Sequence, residues 1–175
     1  LEEDVSLELY DTFDMTRYKN RSGIRPGQSD MAYSNIYIMR KDKFFTYQTV
    51  DHAHSMGLQG KTVQSAGMIA ASGGKIQAID NRSGHYGPGW RNLLQAVKLL
   101  NDKQVFDREA VVALFAGGDN NAIFFSVTDF LNLASQGFDY GATMAVINRN
   151  KFTYGHRRPY PPSKHQFLRS IIYVK

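Results

Sequence analysis

Residues 66–79 read AGMIAASGGKIQAI, two short apolar runs on either side of Ser72-Gly73-Gly74. A serine followed by two glycines is a strong turn signal, because glycine adopts the positive φ angles of tight hairpin turns without strain. The runs 66–71 and 75–79 are therefore predicted to pair as an antiparallel hairpin.

Further elements are predicted on both sides of this hairpin. Upstream, residues 35–39 and 44–48 form two strand-like runs joined by a turn at 41–43. Downstream, apolar residues at helical spacing predict a helix over 90–101. Asp107 is placed to cap a second helical segment over 109–115. A strand over 122–125 then leads into a helix over 129–135, capped by Ser126 or Thr128 and ended near Gly137.

The rest of the chain completes an α+β pattern. Strands are predicted over residues 5–9, 142–147, 151–154 and 167–174, with a turn at 148–150 and a long polar loop over 11–34. Taken together, the pattern predicts a single domain over residues 1–175, with an antiparallel, hairpin-rich sheet and two or three helices.

Composition narrows the class of protein. The 175 residues are 42% hydrophobic and 21% charged, which is typical of one globular domain. The chain has no cysteine, which excludes disulfides, thiolate metal sites and a cysteine nucleophile. No apolar run approaches the roughly 20 residues of a membrane helix, so no membrane association is expected. The opening Leu1-Glu2-Glu3-Asp4, with no Met and no signal-peptide pattern, suggests a domain cut from a longer polypeptide.

Charge is distributed unevenly. Residues 1–14 carry six acids and no base, whereas no acid follows Asp139. The basic tail, residues 140–175, holds seven lysines and arginines together with His156 and His165. Such a tail attracts a nucleic acid, a nucleotide cofactor or an acidic protein. The alternative is that the acidic head packs beside the basic tail.

Two stretches bring reactive side chains together. His54-Ser55 follows the second predicted strand, and Ser83-Gly84-His85-Tyr86-Gly87-Pro88 precedes the first predicted helix. The glycines let the backbone turn sharply, and the helix N-terminus offers unpaired N–H groups to an anion. A histidine and a tyrosine at such a turn can carry a proton and donate a hydrogen bond. The alternative is a tight structural turn. The glycines between 84 and 89 lack the spacing of a dinucleotide fingerprint, and no parallel βαβ frame is expected around them.

The basic tail contains a third group of reactive side chains. His156, Arg157, Lys164 and His165 are the components of a metal-independent ribonuclease, which needs an acid, a base and a phosphate clamp. The alternative is a plain basic loop. His52 and His54 lie two residues apart, but a metal site needs further ligands that the spacing does not supply, so none is predicted.

The middle of the chain resembles a module of the C-terminal domains of bacterial secreted polymorphic toxins. The same module occurs in plant IQ-motif calmodulin-binding proteins. The resemblance covers residues 35–101, and these residues carry it: His54-Ser55, Gly57, Gly60, Ala66-Gly67, Lys75-Ile76 and Ser83-Gly84-His85-Tyr86-Gly87-Pro88. No IQ motif is visible, so calmodulin binding is not expected.

The resemblance implies a toxin or effector domain that is secreted and delivered into a target cell. Its provisional chemistry is ADP-ribosyl transfer from NAD to a protein or RNA target. In the branch of that superfamily with a His…Tyr…Glu pattern, His54 and Tyr86 would bind NAD, and Ser55 and His85 would line the same cleft.

The resemblance also suggests an acid and partners. Glu109 would steady the transition state, with Asp119 and Asp129 as alternatives, and Arg157 of the basic tail would hold the cofactor. A monomer with a cognate immunity protein is expected. The alternatives are the ribonuclease and a non-catalytic protein-binding module.

Overall fold

The computed structural model describes residues 3–4, 35–47, 62–72, 74–82, 88–115 and 122–149. The predicted strands over 5–9, 151–154 and 167–174 and the predicted loop over 11–34 lie outside these ranges. The elements follow in chain order: β1 (Glu3–Asp4), β2 (Asn35–Arg40), β3 (Lys43–Tyr47), β4 (Ser65–Ser72), β5 (Lys75–Asp80), α1 (Trp90–Asp102), β6 (Phe106–Phe115), β7 (Ala122–Ser126), α2 (Val127–Ser135) and α3 (Tyr140–Arg149).

The strands form one mixed sheet in the order β1-β3-β2-β4-β5-β6-β7, in which β1 is a two-residue edge strand. Every neighbouring pair is antiparallel except β5 and β6, which run parallel. The predicted α+β domain with an antiparallel, hairpin-rich sheet is thereby confirmed. The expectation of no parallel βαβ frame is wrong, because α1 connects the parallel strands β5 and β6.

Both predicted hairpins are present. Lys41 and Asp42 have φ angles of 51° and 57°, the pair of left-handed residues that a two-residue turn of the type I′ class requires. This turn fixes the register of β2 and β3, in which Arg40 lies opposite Lys43. In the second hairpin, Ser72 lies opposite Lys75, and Gly74 has a φ of 77°.

Helices α1 and α2 lie where the pattern predicted them. The buried face of α1 has helical spacing and consists of Trp90, Leu93, Ala96, Val97 and Leu100. At the start of α2, the backbone N–H of Asp129 donates to the Ser126 hydroxyl over 3.1 Å, so Ser126 is the N-cap. Beyond α2 the chain turns at Gly137, whose φ is 68°.

Three predictions of secondary structure are wrong. Residues 109–115 belong to strand β6 rather than to a helix, because the run pairs with β5 on one side and β7 on the other. Residues 142–147 belong to helix α3 rather than to a strand. Asp139 caps this helix through its side chain, which accepts from the Ala142 N–H over 2.9 Å. Helix α3 continues to Arg149, so the turn predicted at 148–150 is also wrong over 148–149, and residue 150 lies outside the described residues.

The core lies between one face of the sheet and the three helices. It is one continuous cluster that extends from Tyr37 in β2 to Ile147 in α3. Rings dominate its centre, where Phe138 lies 5.0 Å from Trp90 and 5.5 Å from Phe130 between ring centroids. The opposite face of the sheet carries small residues that are also buried: Ala70, Ala78 and Ala113.

Candidate functional site at the carboxyl edge of β5 and β6

The parallel pair defines one edge of the sheet. Strand β5 ends at Asp80 and β6 ends at Phe115, and parallel strands present their carboxyl ends on the same side. Ligands of sheets with such crossovers bind preferentially outside these ends. Segment 83–87 connects Arg82 at this edge to Pro88, which lies just before α1.

Asn81 joins three parts of this edge. Its Nδ2 donates to the Pro88 carbonyl over 2.9 Å and to the Phe115 carbonyl over 3.1 Å. Its Oδ1 accepts from the Phe115 N–H over 2.7 Å. Since Asn81 is only 3% exposed, these bonds form away from water, where an unpaired partner is costly. The side chain therefore holds both ends of segment 83–87 together and ties them to the end of β6.

Asn92, in the first turn of α1, joins two further parts. Its Oδ1 accepts from the Gly89 N–H over 3.0 Å, and its Nδ2 donates to the Gln64 carbonyl over 2.8 Å. Gly89 ends the connection that contains Ser83–Pro88, and Gln64 follows the stretch that contains His54-Ser55. One side chain is therefore bound to Gly89, directly after Pro88, and to Gln64, nine residues after Ser55.

Asp80 is a buried acid beside these groups. Its Oδ1 accepts from the backbone N–H of Met68 over 2.7 Å and of Arg82 over 2.8 Å. Its Oδ2 is buried and has no hydrogen-bond partner among the described residues. Burial raises the pKa of Asp80 to about 7, against the opposing effect of the two N–H donors and the Arg82 charge.

A buried tyrosine supports the backbone of Asp80. The Tyr37 hydroxyl donates to the Asp80 carbonyl over 2.8 Å and lies 3.0 Å from the Ser65 hydroxyl. Burial raises the pKa of this hydroxyl, so it stays protonated. Tyr37 lies opposite Gly67 in the β2–β4 register, so its side chain reaches β5 across a position without a side chain. A Cβ at Gly67 would overlap the Asp80 carbonyl oxygen.

The sequence-predicted site residues have different positions. His54, Ser55, His85, Tyr86 and the tail residues (His156, Arg157, Lys164 and His165) lie outside the described residues, as does Asp119. Glu109 is described. Its side chain is exposed on β6, six residues before Phe115, which corresponds to about 20 Å along the strand. Asp129 lies in the first turn of α2, and its carboxylate is 3.5 Å from the Arg149 guanidinium. The structure therefore does not bring Glu109 or Asp129 to the edge of β5 and β6.

Sequence reasoning missed Asp80 and Asn81. The available signal was an acid and an amide at the end of an apolar strand, just before Arg82 and Ser83. Their importance depends on Met68 and Phe115, which become neighbours only when the sheet forms.

The edge combines features that suit an anionic ligand. The first turn of α1 has no acidic residue, and exposed Arg82 and Arg91 flank the ends of segment 83–87. Among the described residues no group of three metal-ligating side chains occurs, and none of the described helices is long and apolar enough to cross a bilayer. Comparisons with protein-family models, curated proteins and solved structures find no match to this chain.

Proposed function

We propose that this chain is the catalytic domain of a bacterial toxin or effector that transfers ADP-ribose from NAD to a macromolecular target. Its site lies at the carboxyl edge of β5 and β6. His54 and Tyr86 bind NAD, Ser55 and His85 line the cleft, and Arg157 contributes charge toward the cofactor. The domain acts as a monomer after secretion and delivery, and a cognate immunity protein blocks it in the producing cell.

The observation that carries this proposal is the pair of hydrogen bonds made by the Asn92 side chain. Its side chain holds Gln64, which follows His54-Ser55, and Gly89, which follows Ser83–Pro88. Residues that follow the two motifs are thus bound to one side chain, although about 30 residues separate the motifs in sequence. A cleft that contains both a histidine and a tyrosine needs such a common anchor, because catalysis depends on fixed relative positions.

The proposed reaction needs an acidic side chain that stabilises the transition state. The resemblance names Glu109, whose position far along β6 argues that another group supplies the negative charge. Asp80 lies at the edge but is fully buried, so it acts on the site through the Arg82 backbone rather than by direct contact.

The test is transfer of biotinylated NAD to a whole-cell lysate by the purified chain. His54→Ala and Tyr86→Phe should each abolish the labelled product with the melting temperature unchanged. Arg108→Gln, which changes an exposed residue next to Glu109, is the matched control and should keep full activity. Loss of label in Glu109→Gln would make Glu109 the acid, whereas retention would exclude it.

Two outcomes would replace the proposal. Full activity in both His54→Ala and Tyr86→Phe would show that the assigned site is wrong. If the folded wild-type chain transfers no label, the next assay is cleavage of RNA in the presence of a chelator. If that cleavage depends on His156, the domain is the ribonuclease, and if neither activity appears it is a binding module.

A further inference from the structure

A patch of positive charge lies beside the candidate site. We define the basic patch as Lys41 and Lys43 at the β2–β3 turn together with Arg91 and Lys98 of α1. All four side chains are exposed. Arg91 and Lys98 are seven residues apart on α1, which is two helical turns and about 10 Å along one face.

Gln64 links the β2–β3 turn to α1, the two elements that carry the basic patch. The Asp42 N–H donates to Gln64 Oε1 over 2.8 Å, and Gln64 Nε2 donates to Asp42 Oδ1 over 3.1 Å. The same Nε2 donates to Gln95 Oε1 over 3.2 Å. Gln95 lies between Arg91 and Lys98 on the helix, so the turn and the cationic face of α1 are adjacent.

The four cations of the basic patch outnumber the acids beside them, which are Asp42 at the turn and Asp102 one helical turn after Lys98. Among the described residues, none of the four cations has an ion-pair or hydrogen-bond partner, and the ion pair found there joins Arg149 and Asp129. Asp42 is the acid at the turn, and its carboxylate already accepts from Gln64. The Arg91 guanidinium lies 4.5 Å from the centre of the Trp90 ring, which leaves its N–H groups available at the rim.

The composition of the basic patch indicates the class of its partner. Hot spots of protein interfaces are enriched in tryptophan, tyrosine and arginine held in desolvated pockets, and binding of single-stranded nucleic acid uses aromatic rings on which bases stack. Among the described side chains no aromatic ring is exposed, Trp90 beneath Arg91 is buried, and the four cations are exposed rather than held in a pocket. Exposed lysines and arginines without exposed aromatic rings are the arrangement that contacts phosphates and does not read sequence.

We propose that the basic patch binds the phosphate backbone of a double-stranded nucleic acid without sequence preference. The patch adjoins Asn92 and would present the nucleic acid to the site as its target. This role in presenting the target deepens the proposed function and rests on it. The binding itself needs no NAD, so the two proposals can fail separately.

Fluorescence anisotropy with short labelled RNA and DNA duplexes of the same sequence tests the inference on the full chain. Contacts with four phosphates give a slope of up to about −3.6 in a plot of the logarithm of affinity against the logarithm of salt concentration. Lys41→Gln with Lys43→Gln, and separately Arg91→Gln with Lys98→Gln, should each reduce that slope by about 1.8. Comparison of the two duplexes shows whether RNA or DNA is preferred.

Lys103→Gln with Arg108→Gln is the matched control. It removes two exposed cations outside the basic patch, at the end of α1 and on β6, so it should leave the slope unchanged. Equal weakening by the control would overturn the inference in favour of general charge attraction. An unchanged slope in both patch variants would overturn it as well, because other parts of the chain would then bind the duplex. Absence of duplex binding at low salt would also overturn it, and competition by an acidic protein would then identify a protein partner.

Discussion

At the level of single residues, Asp80 couples the stability of the sheet to pH. Burial raises its pKa to about 7, whereas an unfolded chain has an aspartate pKa of about 3.9. Between these values the folded state binds a proton that the unfolded state releases. The contribution of Asp80 to the free energy of unfolding is therefore full below about pH 4 and falls by up to about 4 kcal/mol as pH rises to 7.

Asp80→Asn isolates this effect. The amide oxygen can still accept from Met68 and Arg82, but the side chain no longer titrates. We expect the difference in unfolding free energy between wild type and variant to change by a few kcal/mol between about pH 5 and about pH 7.5, with the variant gaining relative stability at the higher pH. Urea denaturation across this range measures the difference. A pH-independent difference would show that Asp80 does not titrate there.

Gly67 allows Tyr37 to reach β5, and its substitution should be costly. In Gly67→Ala the new Cβ would lie 2.8 Å from Asp80 Oδ1 and overlap the Asp80 carbonyl oxygen. Because this oxygen belongs to a central strand that cannot yield cheaply, we expect a loss of about 3 kcal/mol or more in unfolding free energy. Gly141→Ala is the control, since its nearest contact is 3.4 Å, and it should be neutral or slightly stabilising in helix α3. Equal midpoints in chemical denaturation for both variants would contradict this account.

At the level of elements, Asn81 holds the β5–α1–β6 crossover closed. Asn81→Ala removes its bonds and leaves the Pro88 carbonyl and the Phe115 N–H and carbonyl without these partners. We expect a loss of about 2–4 kcal/mol, because buried polar groups without partners carry most of the penalty. Asn81→Asp keeps the acceptor for Phe115 and should be intermediate at low pH. Chemical denaturation measures the unfolding free energy of both variants. Losses below about 0.5 kcal/mol would show that the Asn81 hydrogen bonds do not stabilise the fold.

Elements with local signals were predictable from sequence, whereas elements set by their neighbours were not. The β2–β3 and β4–β5 hairpins follow from their turn residues, and α1 follows from its apolar period. The apolar runs in β6 and α3 fit a helix or a strand equally well. Their outcome depends on the place of β6 between β5 and β7 and on the Asp139 cap. For the same reason the sequence indicated Ser83–Pro88 as a site but not Asn81, whose partner Phe115 is 34 residues away.

At the level of the whole molecule, one core predicts one unfolding transition. The cluster from Tyr37 to Ile147 includes residues of β2 to β7 and of all three described helices, so no part of it can separate without exposing the rest. Trp90 is the single tryptophan of the chain and lies in this cluster, 5.0 Å from Phe138. Its fluorescence therefore reports on packing, while far-UV circular dichroism reports on the sheet and helices.

The two signals should share one midpoint on heating, and the calorimetric and van't Hoff enthalpies should agree. Phe138→Ala leaves a cavity among Trp90, Phe125 and Phe130. Because removing a buried phenyl ring costs about 3–5 kcal/mol, this variant should lower both midpoints together by roughly 10 °C. If Trp90 fluorescence instead changes several degrees before the circular dichroism, the helical layer loosens while the sheet persists, and the core is two cooperative units rather than one.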